Sequence, residues 1–177
     1  FKQLPILAPD NGTQIAQSIA ISNYIEAIAG LTIPDPAKAA EASAVLQSSQ
    51  ELFAPLNPTV NFAVGEDFKA KRDAMRSDLE SRFSDLERYL NKHDGKYFVD
   101  DTPRAAEFAC FHHLDLSKKL DPKLLDGFPR IMKFVEDIQS IKKVSEYMEK
   151  RPELIDVGVE PKLVIDGTAH PTGVNRT

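Results

Sequence analysis

Gln17-Ser18-Ile19-Ala20-Ile21, with Tyr24-Ile25 behind it and Gln3-Leu4-Pro5-Ile6-Leu7 ahead of it, is the stretch on which the reading of this sequence turns. Leu4 to Ala8 is a short apolar run closed by Pro9-Asp10-Asn11-Gly12. Asn-Gly is a strong two-residue hairpin signal, because both central positions must tolerate positive φ. Thr13 to Ala16 reads as the returning strand. From Ser18 the period changes: Ile19, Ile21, Tyr24, Ile25 and Ile28 fit a buried helix that stops at Gly30. Residues 1–30 therefore predict strand, tight turn, strand and helix, a piece too small to be stable by itself.

Outward from this piece the texture becomes helical. Leu31 to Asp35, with Pro34 beside an acidic residue, reads as a linker. Ala39, Ala42, Val45, Leu46, Leu52 and Phe53 predict a helix over 36–53, ended by Pro55 and Pro58. Met75, Leu79, Phe83, Leu86 and Leu90 recur at three and four residues, which predicts a helix over 67–92 stopped at Asp94-Gly95. Helical patterns follow at 103–119, 128–139 and 141–150. Beyond Asp156 the pattern is lost, and Gly158, Pro161, Gly167, Pro171 and Gly173 predict a loosely packed, extended or disordered tail. The fold class expected is α+β and mostly α, with a small hairpin-and-helix piece followed by an all-helical bundle.

Composition limits the function. Hydrophobic residues at 42% and charged residues at 28% are the balance of a globular protein. A net charge of −5 argues against a nucleic-acid surface, which needs clustered Lys and Arg. No apolar run is long enough to cross a bilayer. The single cysteine, Cys110, excludes an internal disulfide framework and points to a reducing compartment, cytoplasmic or otherwise intracellular. It lies among Phe108, Phe111 and Leu114 and reads as a core residue. His112 and His113 are adjacent, so their side chains diverge on a helix and no metal site is expected.

Two groups of residues give this chain a resemblance. Phe1-Lys2-Gln3-Leu4-Pro5-Ile6-Leu7 followed by Gln17-Ser18-Ile19-Ala20-Ile21 resembles the glutathione-binding half of cytosolic glutathione transferases. Leu124-Leu125-Asp126-Gly127-Phe128-Pro129-Arg130, then Tyr147 and Lys150-Arg151-Pro152, is similar to the late helices of the sigma, mu and pi classes, with sigma nearest. The likeness covers residues 1–155. It implies that the chain opens at the third strand of a thioredoxin-like domain, with residues 1–30 as the C-terminal half of that domain. Residues 31–35 would be the linker, 36–155 an all-α domain and 156–177 a tail without counterpart.

The resemblance also implies a site. A cis prolyl bond at Leu4-Pro5 would turn the chain and leave the backbone of Leu4 open to a peptide added as an extra strand. Leu4, Pro5 and Gln3 would hold the cysteinyl part of glutathione; the alternative is that Leu-Pro is only a strand entry. Gln17 and Ser18 would bind the γ-glutamyl carboxylate at a helix N-terminus, while Ser18 has the alternative of plain helix capping. Glu51 would reach the glutathione of a partner subunit, or be a solvated charge. Phe1 would be an aromatic lock plugged into the second subunit of a homodimer. Phe53, Phe62 and Phe111 are candidate walls of a hydrophobic substrate pocket.

Where the family's thiol-activating Tyr, Ser or Cys would stand, no residue of this chain is assigned. Where the family opens its sixth helix with a Ser/Thr-x-x-Asp box, this chain has Arg104-Ala105-Ala106-Glu107; Thr102-Pro103 then predicts a start two residues earlier. Two functions are open: a glutathione transferase that conjugates the co-substrate glutathione to small electrophiles or isomerises substrates, and a non-catalytic transferase-like scaffold with protein partners.

Overall fold

The hairpin expected at the start of the chain forms, with shorter strands and a longer connection than Asn-Gly alone would give. The computed structural model describes residues 4–10 and 12–173. Strands β1 (Ile6–Leu7) and β2 (Ile15–Ala16) pair antiparallel, Ile6 opposite Ala16 and Leu7 opposite Ile15. Gly12 N–H donates to Pro9 O at 3.2 Å, and Gly12 takes a φ of 82°, which glycine adopts without steric cost. Helix α1 (Ser18–Ile28) follows directly.

Asp35 starts the second helix, α2 (Pro36–Phe62). Its carboxylate accepts from the N–H groups of Ala37 (2.9 Å) and Lys38 (3.4 Å), and Pro36 occupies the first helical position, where it costs no hydrogen bond. This helix passes through Pro55 and Pro58 instead of ending at them. Each proline removes one backbone donor, yet Thr59 Oγ1 donates to Pro55 O (2.8 Å) and Asn61 Nδ2 to Asn57 O (2.9 Å). Leu52, Leu56 and Val60 stay buried on one face throughout. Burial across the proline segment outweighs the lost ladder bonds.

Helix α3 (Gly65–Leu90) carries the predicted stripe, with Phe68, Met75, Leu79, Phe83, Leu86 and Leu90 all buried. Helices α4 (Ala105–Leu120), α5 (Pro129–Gln139) and α6 (Lys142–Lys150) complete the bundle. α4 is its central member, packed on α2 along one face and on α5 along another. Ring contacts fill the middle: Phe98 lies 5.3 Å and Tyr97 6.2 Å from the Phe134 ring, and Phe83 meets Phe128 edge-on at 5.5 Å.

α4 begins at Ala105, two residues later than Thr102-Pro103 predicts. Asp100 holds the preceding loop: its carboxylate accepts from Thr102 N–H and from both Nη atoms of Arg104. Arg104 stands at the cap position with no acceptor to offer. Half of a capping box survives, because Glu107 accepts from Arg104 N–H at 2.8 Å and from Phe98 N–H at 3.2 Å.

Past α6 the described residues, through 173, form regular structure where a loose tail is expected. Strands β3 (Glu153–Ile155), β4 (Lys162–Ile165) and β5 (Thr168–Pro171) form an antiparallel sheet in that order. Asp166 and Gly167, both at positive φ, close the two-residue turn between Ile165 and Thr168. The sheet docks on the bundle: Gly65 N–H donates to Gly158 O at 2.8 Å, Lys119 Nζ reaches Leu154 O at 3.3 Å, and Thr172 Oγ1 bonds Asn61 O.

Candidate functional site

The Leu4–Pro5 peptide bond is cis, immediately before β1. Pro5 directly precedes Ile6 and Gln17 directly follows Ala16, so both flank the Ile6–Ala16 end of the hairpin. Leu4, Pro5, Gln17 and Ser18 are the residues next along the chain from that end, where α1 starts. Gln3 and Phe1 lie outside the described residues.

Gln17 is the residue before α1 and has φ 76°, ψ 121°. A non-glycine side chain held in the left-handed region costs about 1–3 kcal/mol, and such residues gather at ligand sites. No side-chain cap hydrogen bond satisfies the helix start. Ser18 is the first helical residue, so the capping reading does not describe it. The first intrahelical bond runs from Ile21 N–H to Gln17 O at 2.9 Å, which leaves the N–H groups of Ser18, Ile19 and Ala20 ahead of it for an anion. Leu4 is 88% exposed, and Gln17 and Ser18 are exposed as well. This end of the hairpin can offer a peptide backbone for pairing on one side and helix donors for a carboxylate on the other.

The remaining expected residues are scattered. Glu51 is exposed and bonds Arg82 across a groove of about 200 Å³ between α2 and α3, which Ser48, Leu86 and Tyr89 also line. Phe111 is buried in the core. Phe53 is half-exposed and rests against the His112 and His113 rings at 6.5 and 5.4 Å. Phe62 is exposed near the end of α2. The three phenylalanines do not line one cavity.

The cleft near Phe53 is polar, which sequence periodicity did not reveal. Asn57 and Asn61 of α2, His112 and Asp115 of α4, Arg151, and Leu163 of β4 surround a space of about 400 Å³. Arg151 donates to Asp115 at 2.7 Å across it. Its far wall is the sheet of the expected tail, so pattern loss after Asp156 concealed part of the lining.

His113 is buried, and its Nδ1 has no hydrogen-bond partner. Burial, then the charge of neighbouring His112, lowers its pKa to about 4, so the ring is neutral near pH 7. Cys110 is fully buried, and burial pushes its thiol far above the ordinary range, which removes it as a nucleophile. Among the described residues no group of three His, Cys, Asp or Glu side chains is gathered as metal ligands. None of the helices there is long and apolar enough to cross a membrane.

Residues 55–151 match the family model of the glutathione S-transferase C-terminal domain. Hematopoietic prostaglandin D synthase of Gallus gallus is 30% identical over 156 residues, covering 86% of this chain and 75% of that protein. Glutathione S-transferase 1 of Ascaris suum is 25% identical over 157 residues, covering 86% and 76%. The pi-class glutathione S-transferase structure from Onchocerca volvulus superimposes with a TM-score of 0.75 at 26% identity, covering 85% of this chain and 73% of that one.

Proposed function

This chain belongs to the glutathione S-transferase family, and from that premise we propose that it binds glutathione at the cis-proline end of the hairpin for conjugation to small electrophiles. The observation that supports this reading is a cis Leu4–Pro5 bond and an uncapped helix start at Gln17-Ser18, flanking the same Ile6–Ala16 end of the hairpin. Glutathione is a peptide with a free carboxylate at its γ-glutamyl end. Its cysteinyl backbone would pair with Leu4 as an added strand. The γ-glutamyl carboxylate would sit at Gln17 and Ser18 against the α1 donors, where the helix dipole favours negative charge. Gln3 would contact the peptide nearby.

In the conjugation the thiolate sulfur attacks an electrophilic carbon, the carbon–sulfur bond forms, and the leaving group departs with the bonding electrons. Ionising the thiol is a separate requirement. No side chain of residues 1–177 is assigned to it, and the burial of Cys110 excludes that thiol. Isomerisation by a bound glutathione thiolate would use the same binding residues.

We take residues 1–30 as the glutathione-binding piece, 31–35 as a linker and 36–155 as the helical domain. A homodimer would put a second copy across the α2–α3 groove, with Glu51 directed at its glutathione. The test is calorimetric titration with reduced glutathione, followed by conjugation of an aryl halide. Binding with turnover supports the transferase; binding without turnover favours the scaffold reading; absence of binding rejects the proposed site.

A further inference from the structure

We infer that Glu26 is a positioning residue for the N-terminal end of α1, an inference that uses the proposed glutathione site for one of its two readouts. α1 buries none of its residues, and only Ile19 packs part-buried against the core. Apolar contact therefore holds this helix weakly. Glu26 supplies a directional contact instead: Ala105 N–H donates to Glu26 Oε2 at 3.2 Å.

Ala105 is the first residue of α4, whose cap residue Arg104 has no acceptor. The carboxylate of Glu26 thus caps α4 from a different helix, and the positive end of the α4 dipole favours its charge. Beside it, Arg104 Nε donates to Leu31 O at 2.9 Å, fixing the linker to the same point. Glu26 lines two cavities of about 270 Å³ each, one with Asn23 and Thr32, the other with Ile25 and Phe108. Gln17 and Ser18 lie at the far end of α1, ~12 Å along its axis, so a small pivot at Glu26 becomes a larger displacement there.

The experiment compares the full chain with its Glu26→Ala, Glu26→Asp and Glu26→Gln variants. Titration with reduced glutathione should show affinity about five- to tenfold weaker for Ala and for Asp, whose carboxylate falls short, and within about twofold for Gln, whose amide oxygen still accepts. Amide hydrogen exchange over residues 18–28 should quicken in Ala and Asp and not in Gln. Exchange that is equal in all four proteins overturns the inference. Faster exchange with unchanged glutathione affinity also overturns it, since Glu26 would then be a structural contact only. If the parent chain fails to bind glutathione, the proposed function fails and the positioning role falls with it, while the exchange comparison still decides whether Glu26 anchors α1.

Discussion

The hairpin-and-α1 piece and the helical bundle are built on opposite terms. The bundle closes around side chains with no exposure, among them Phe83, Phe134, Leu56 and Ile131. The hairpin and α1 bury none of their described residues, and they leave Leu4, Ile25 and Ile28 at least half exposed. Apolar burial stabilises by about 25 cal/mol for each Å² removed from water, so the bundle supplies most of the folding free energy. The N-terminal piece leaves backbone groups exposed, among them the unpaired N–H groups at the start of α1, where the proposed site lies. On that proposal stability and recognition fall to different parts of one chain, joined at Glu26, Leu31 and Arg104.

Truncating the bundle core tests this division most severely. Phe134→Ala should cost about 3–5 kcal/mol in urea unfolding, because a fully buried ring leaves a cavity. A loss under about 1 kcal/mol would mean that the stable core lies elsewhere.

Acid should act next, again through the bundle. His113 has a folded pKa lowered to about 4, against ~6.5 unfolded, so the unfolded chain binds more protons between these values. Stability should therefore fall by about 2–3 kcal/mol as pH drops from about 6.5 to about 4, and His113→Gln should flatten that limb. Denaturation midpoints collected across the range would check the sign.

The C-terminal sheet sits between the two regimes. A Cβ on Gly158 would approach the Phe68 ring to 2.6 Å, and Gly158 has φ 80°. Gly158→Ala should cost about 1–3 kcal/mol and speed hydrogen exchange in β3 and β4, if the sheet belongs to the cooperative bundle. Exchange changes without any loss of global stability would set the sheet apart as a third unit.

Ser18→Ala should have the smallest effect on folding, within about 0.5 kcal/mol, since Ser18 is exposed and makes no cap bond. Its glutathione affinity should nevertheless drop about fivefold by calorimetry. Large destabilisation by this substitution would break the division between the two regions.

Local patterns were legible where local physics decides the outcome. The recurrence of Met75, Leu79, Phe83, Leu86 and Leu90 places one apolar face on a helix whatever it packs against, and all five are buried. Asp166-Gly167 is an equally local hairpin signal, flanked by Leu163-Val164-Ile165, but the surrounding glycines and prolines masked it. α2 runs past Pro55 and Pro58 because a proline's cost is local while the burial of Leu56 and Val60 is not. The start of α4 moved for a similar reason: Asp100, Glu107 and Glu26 supply contacts that no cap pattern contains.

By itself the sequence determined the mostly helical class and the hairpin-to-helix order, because periodicity and helix-terminus chemistry act within a few residues. Only tertiary structure decided that Phe111 is core while Phe53 stays half-exposed. It also decided that a polar cleft backed by the C-terminal sheet lies beside Phe53, and that α1 is tied to α4 through Glu26. These outcomes depend on which faces of distant segments meet, and burial and hydrogen-bond partnership are properties of that meeting rather than of any one segment.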